Sequence, residues 1–243
     1  MRTRTLFLGP LLAGVALLGC SSASSPDASS PSPAPSAAPA EDVATDDGIV
    51  ARALVPDVAV YATPGDVEPA RLVPGRTAFG FPQTFLVQHT NDEFLEVVVA
   101  GRPNGGTGWI RSSDVELSRV DHELHVDLAA RTLTWLDDDG IVLTTPVAVG
   151  SDEYPTPVGT FFVTDLLDTT DDSGAYGPFA IGLSGRSEIL TEFAGGDGQV
   201  GIHGTDDPSS IGQAASHGCI RIPNDIITQL ASALPLGTLV IVT

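Results

Sequence analysis

The chain has 243 residues and a formal charge of −20, with 31 acidic side chains against 11 basic ones, all of them arginine. No basic run interrupts the acidic surface, which excludes nucleic-acid binding as a class. The same imbalance disfavours lying directly on anionic lipid.

In chain order, residues 1–20 read as a targeting segment. Arg2 and Arg4 precede an apolar run from Leu6 to Leu18 that is too short for a comfortable membrane span. The run ends in Leu17-Leu18-Gly19-Cys20, which resembles a bacterial lipoprotein processing site. That resemblance implies cleavage before Cys20 and lipidation of its thiol. Residues 21–48 are Ser-, Pro- and Ala-rich with scattered acids, a composition with too little apolar surface to offset ordering entropy. They are expected to form a disordered, semi-extended tether that lets a domain stand off a membrane. About 195 residues then remain, enough for one large or two small domains.

Residues 49–118 read as a small β module. Val58–Tyr61, Thr84–Val87 and Phe94–Val99 are β-rich runs, with a last short strand opening at Gly108-Trp109-Ile110. Pro64-Gly65, Pro74-Gly75 and Pro103-Asn104-Gly105-Gly106 separate them. The ordering resembles small SH3-like β-barrels found beside wall enzymes. The module either binds wall polymer or serves as a spacer packed on its neighbour. It holds no nucleophile–base pair, so it is expected to be dispensable for a chemical step. His89, near Thr90 and Asn91, reads as a solvated loop residue.

Residues 121–243 read as a second domain. Leu124, Val126, Leu128, Leu133 and Trp135 alternate with polar neighbours, and Asp138-Asp139-Gly140 signals a hairpin. His122 and His125 flank the first strand, but an offset of three on a strand points them to opposite faces, against a metal pair. Strand-like runs follow at Ile141–Leu143, Val147–Val149 and Thr160–Val163, the last after a Pro/Gly-punctuated loop. Residues 167–177 are acidic and aperiodic, predicting an excursion off the sheet. After Asn224 or Asp225 as N-cap, Ile226, Ile227, Leu230 and Leu234 share a helical face. Pro235 and Gly237 end that helix, and Leu239–Val242 is a buried final strand.

The candidate chemistry lies at Gly201-Ile202-His203-Gly204-Thr205 and Ser216-His217-Gly218-Cys219-Ile220-Arg221-Ile222-Pro223-Asn224. Cys219 is the only cysteine outside the leader, and with Cys20 lipidated it has no disulfide partner. A thiol attacks as thiolate, and a nearby imidazole lowers its pKa or takes its proton. A helix start nearby would favour the thiolate further. Zinc held by His203, His217 and Cys219 would need a fourth ligand, and Asp206 is the only near candidate. No metal and no other cofactor is expected.

These elements, with Thr156-Pro157-Val158-Gly159-Thr160-Phe161 upstream, resemble the signature of the L,D-transpeptidase (YkuD) family. The resemblance covers 121–243. It implies a mostly β chain: a YkuD-like β-sandwich with one or two short helices, preceded by the SH3-like barrel. It implies peptidoglycan acyl transfer from a tetrapeptide stem through a Cys219 thioester to an amine acceptor. His203 is implied as the base, oriented by the Gly204 carbonyl. His217 and Gly218 are implied at or near an oxyanion site built from backbone N–H groups, with His217 open between a polar site group and scaffold. Arg221 holds a substrate carboxylate or else pairs structurally with an acid. Ser216 and Asn224 read as scaffold, a turn hydroxyl and a cap. The region after residue 167 corresponds to a lid. Implied partners are wall stem peptides, the membrane through Cys20, and a carbapenem β-lactam as covalent inhibitor. The implied location is the outer face of the cytoplasmic membrane, facing the wall. The alternatives are hydrolysis of the same acyl-enzyme, as an L,D-carboxypeptidase, and a non-catalytic wall-binding lipoprotein. A papain-like peptidase fits less well, since those place Cys before His.

Overall fold

The computed structural model describes residues 48–243 other than 92 and 194. The leader, Cys20 and the tether as far as residue 47 lie outside the described residues. The described chain is mostly β, with a single α-helix among these residues.

The first sheet is built from β1 (Ile49–Ala53), β4 (Thr84–Thr90), β5 (Phe94–Val98), β6 (Thr107–Arg111) and β7 (Val115–Arg119), ordered β6-β5-β4-β1-β7. A separate hairpin, β2 (Asp57–Val60) with β3 (Arg71–Pro74), leans on it where Tyr61 bridges Trp109. Val58, Val60, Phe85, Val87, Leu95, Val97 and Ile110 fill the space between. Alternation along β2 and β6 sends these side chains inward. Strands β1, β3 and β7 lacked a clean sequence signal because each presents mainly exposed or half-buried residues. His89 is not in a loop; it is an exposed residue near the end of β4.

The second sheet begins with β8 (Glu123–Asp127), β9 (Thr132–Asp137) and β10 (Gly140–Pro146), and the Asp138-Asp139 turn closes the β9–β10 hairpin as its residues predict. Trp135 Nε1 donates to His122 Nδ1 at 3.3 Å, giving that histidine a structural partner. After β11 (Val149–Gly150) come β12 (Gly159–Asp168), β13 (Phe179–Arg186), β14 (Gln199–His203), β15 (Ala214–Ser216), β16 (Ile220–Arg221), α1 (Asn224–Ala233) and β17 (Leu239–Val242). The order is β10-β9-β8-β17-β12-β13-β14-β16, with β11 and β15 as a small parallel pair.

β12 is the seam of this sheet. Gly159–Phe162 pair with β17, whereas residues from Val163 to Asp168 pair with β13, with a register shift between Val163 and Asp165. Such a bulge bends a strand, so the sheet curls around one core. Leu124, Leu133, Phe161, Ile181, Leu183, Ile202, Ile220, Ile222 and Val240 meet there, α1 adds Ile227 and Leu230, and Leu234 follows just past its end. The two sheets share a third cluster: Val50, Leu86, Val98 and Val120 pack against Phe162, whose side chain is completely buried.

Candidate active site

The site exists because β14 and β16 lie side by side, parallel, with Ile202 opposite Ile220 and His203 opposite Arg221. Neighbouring strands lie about 4.8 Å apart, so this register brings together residues eighteen positions apart in sequence. Cys219, one residue before β16, falls beside Gly201, whose backbone favours the thiolate. A side chain at 201 has no room, since a Cβ there would sit 2.9 Å from the Ile181 carbonyl oxygen.

The turn carrying Cys219 is held from several directions. Ser216 Oγ accepts from the Gly218 N–H at 3.1 Å and donates to the Cys219 carbonyl at 2.5 Å. Buried Thr156 donates through Oγ1 to the Gly218 carbonyl at 2.9 Å and accepts from the Gly150 N–H at 2.8 Å. Gly218 has φ +112°, in the region that favours glycine. With its N–H engaged by Ser216, what Gly218 contributes is the shape of the turn.

His203 is buried, and its Nδ1 lies 2.6 Å from the Gly204 carbonyl oxygen. A carbonyl only accepts, so Nδ1 carries the proton and Nε2 is the basic nitrogen. Burial holds the His203 pKa down at about 4, against the partial support of the Gly204 hydrogen bond, and Arg221 lowers it further. Burial also pushes the Cys219 thiol up, and the Gly201 backbone and Arg221 only partly counter this. The resting pair is a neutral thiol beside a neutral imidazole. The expected thiolate-favouring environment at a helix start is not what the fold supplies: α1 begins at Asn224, and desolvation outweighs the favourable groups.

A cavity of about 240 Å³ opens on this pair, lined by His203, Ser216, His217, Cys219 and Arg221 together with Tyr176, Ser187, Leu190, Phe193 and Gln199. Arg221 Nε is buried without a hydrogen-bond partner, and among the described residues no acid forms an ion pair with Arg221. The structural pairing weighed from sequence is therefore not seen. Exposed His217 lies between two aromatic rings, Tyr154 at 5.1 Å and Phe193 at 5.7 Å. Tyr176 stands 4.6 Å from the His203 ring.

Residues 121–242 match the family model for the YkuD L,D-transpeptidase catalytic domain. The chain belongs to this family. It is 36% identical to YkuD of Bacillus licheniformis over 124 residues, covering 51% of this chain and 67% of that protein. It is 34% identical to YkuD of Bacillus subtilis over 119 residues, covering 49% of this chain and 64% of that protein. Among solved structures, the Ldtfm–avibactam carbamoyl enzyme is 26% identical with a TM-score of 0.40, covering 51% of this chain and 49% of that one. The chain thus spans about two thirds of the YkuD relatives and half of that enzyme.

The YkuD signature residues Cys219, His203, His217 and Arg221 all meet at one cavity, with Gly204 holding the imidazole. Asn224 departs from its expected role. Its side chain makes no capping bond to α1; Oδ1 instead accepts from the Thr205 N–H at 2.7 Å, tying the His-Gly-Thr element to the helix start. Tyr154, Tyr176 and Phe193 were missed as site residues. Each is a lone aromatic in a Gly- or Pro-punctuated loop, without a period or spacing to single it out. Tyr154 alone carried a usable signal, standing two residues before Thr156 of the upstream motif.

Proposed function

We propose that this chain is a peptidoglycan L,D-transpeptidase that passes an acyl group from a tetrapeptide stem to an amine through a thioester on Cys219. The observation that carries the reading is His203, fixed by Gly204 with Nε2 as its basic nitrogen, in one cavity with a thiol that has no disulfide partner among the described residues. In the first half-reaction Cys219 Sγ bonds to the stem carbonyl carbon as its proton passes to His203 Nε2. Because the resting groups are both neutral, transfer accompanies attack rather than preceding it. The peptide C–N bond then breaks, and the departing D-amino acid takes that proton on its nitrogen. In the second half-reaction the acceptor nitrogen bonds to the carbonyl carbon and the C–S bond breaks; the proton the amine gives to His203 Nε2 passes on to Sγ, restoring the thiol and the neutral imidazole. Arg221, with a free Nε and a planar fork, suits the carboxylate of the departing D-amino acid. His217 and Gly218 shape the wall and turn around the reacting carbonyl.

The leader sequence supports the rest of the reading: lipid on Cys20, a tether over residues 21–48, and a place at the outer face of the cytoplasmic membrane, facing the wall. The first sheet, with its leaning hairpin, is read as an SH3-like module. A strained β-lactam carbonyl beside a carboxylate has the shape of a donor end, so a carbapenem should acylate the same thiol.

One set of intact-mass measurements tests these points. Protein from the membrane fraction should carry lipid at Cys20. Tetrapeptide donor with an amine acceptor should give cross-linked dimer; tripeptide alone means hydrolase. A carbapenem should give one adduct per chain, absent in Cys219→Ala and slow in His203→Ala. An adduct that survives Cys219→Ala would remove Cys219 as nucleophile, and an unmodified Cys20 would remove the anchor.

A further inference from the structure

One wall of the cavity is not held by the catalytic sheet alone. The loop between β13 and β14, residues 187–198, supplies Ser187, Leu190, Phe193 and Gly198 to the lining. Its own bonds are local: Ser187 Oγ accepts from the Leu190 N–H at 3.0 Å and the Ile189 N–H at 3.3 Å. Phe193 pairs with Gly196, and the Ser187 N–H donates to the Gly198 carbonyl at 2.8 Å. Asp197 accepts from Arg186 Nε at 2.7 Å. A loop of this kind loses much chain entropy on ordering and needs an external hold.

The hold comes from the β5–β6 turn of the first sheet. Arg102 Nη1 donates to the Asp197 carbonyl at 2.7 Å, while Nη2 donates to the Ser187 carbonyl at 2.6 Å and the Leu190 carbonyl at 3.2 Å. One guanidinium thus binds the start, middle and end of the loop. Next to it, Asn104 pairs with the backbone of Arg186 in both directions, each bond 2.8 Å. The loop closes tightly on the guanidinium. Gly198 has φ +75°, and a Cβ there would lie 3.0 Å from Arg102 Nη2 and 1.9 Å from the Leu190 carbonyl oxygen. A second bridge runs beside the first: Thr77 donates to buried Asp165 at 2.5 Å, and Asp165 accepts from cavity-lining Gln199 at 3.1 Å.

We propose that Arg102 is a positioning residue for the active site: its fork clamps the 187–198 loop so that Phe193 stays stacked on His217 beside Cys219. The first sheet then shapes the donor pocket without contributing a reacting group. The proposal rests on the transpeptidase reading for what fills the pocket, but the clamp itself does not depend on it. Arginine suits the task because its planar fork reaches several carbonyls at once; a lysine ammonium reaches fewer and holds them less firmly.

The test uses the full chain and the variants Arg102→Ala, Arg102→Lys and Asn104→Ala. Hydrogen exchange read by mass spectrometry should show protection lost over 187–198 in Arg102→Ala and kept in β12 and β17, with Arg102→Lys in between. KM for a tetrapeptide donor should rise about tenfold while kcat changes far less. Iodoacetamide should alkylate Cys219 several times faster, because the wall over the thiol loosens. Unchanged loop protection in Arg102→Ala overturns the proposal. So does lost protection with KM and alkylation both at wild-type values. If Arg102→Ala does not fold, Arg102→Lys and Asn104→Ala carry the same comparison. Exchange and alkylation need no turnover. A wild-type chain that transfers nothing would therefore remove the transpeptidase reading, and the clamp would still be decided by those two measurements.

Discussion

His203 shows how burial sets the protonation and pH behaviour of one residue. Desolvation takes its pKa from 6.5 to about 4, so Nε2 is already free to accept a proton at mildly acid pH. The acid limb of kcat/KM for acylation should therefore lie near pH 4, with the rate falling as pH drops through that value. A limb near pH 6.5 would mean that His203 is solvated or is not the base. The stability effect has the same origin. The folded state prefers neutral His203, so this contribution is complete above the unfolded pKa of 6.5 and is lost as pH falls from 6.5 towards 4. A shift of this size corresponds to about 3 kcal/mol. Urea unfolding at pH 7 and pH 4.5 should lose less stability across that interval in His203→Gln than in the wild type, because glutamine does not titrate.

At the scale of elements, α1 owes its place to packing and the site owes its shape to what α1 carries. Ile227 and Leu230, with Leu234 just past the helix end, bury it against β13 and β14. At its first residue, Asn224 Oδ1 takes up the N–H of buried Thr205 rather than an N–H of its own helix. Space there is closed, since a Cβ on Gly204 would lie 2.3 Å from that same oxygen. Asn224→Ala leaves the Thr205 N–H without its acceptor, at a cost of about 1–3 kcal/mol. It should also slow acylation, because the strand end holding His203 loses its tie. Asn224→Asp keeps an acceptor oxygen and should recover most of the stability. If the alanine variant melts like the wild type, the tie carries no weight.

At the scale of the whole molecule, the two sheets are joined by a shared apolar cluster as well as by the Arg102 and Thr77 bonds. Phe162 lies at its centre among Val50, Leu86, Val98 and Val120. Gly237 fits against Val50 with no room for a side chain, since a Cβ there would lie 2.5 Å from Val50 Cγ1. Phe162→Ala should cost about 3–5 kcal/mol, and both sheets should feel it. The two tryptophans report separately, Trp109 from β6 and Trp135 from β9. In single-tryptophan variants their denaturant transitions should coincide and shift together with Phe162→Ala. Transitions that separate would show that the sheets unfold independently.

Local signals along the chain were enough for the β class, the β9–β10 hairpin, the closing helix and last strand, and several of the residues that meet at the cavity. These follow from period-2 alternation, an Asp-Asp-Gly turn, a helical face, and a motif whose residues stand close together in the chain. The same signals left His217 and Arg221 each with two roles, because a side chain's partner is set by what folds against it. It took the folded chain to show that Asn224 ties Thr205 rather than capping α1, since that bond joins residues nineteen positions apart. The fold also placed Tyr154, Tyr176 and Phe193 around the histidines, because loops carry no period to read. The protonation of the site was likewise beyond the sequence: a nearby histidine suggests a thiolate, but the desolvation that keeps both groups neutral depends on how deeply the curled sheet buries them. The grip of Arg102 on a loop some eighty-five residues away is of the same kind. Hydrogen bonds to backbone carbonyls need no particular side chain on the receiving loop, so they leave no trace in its sequence.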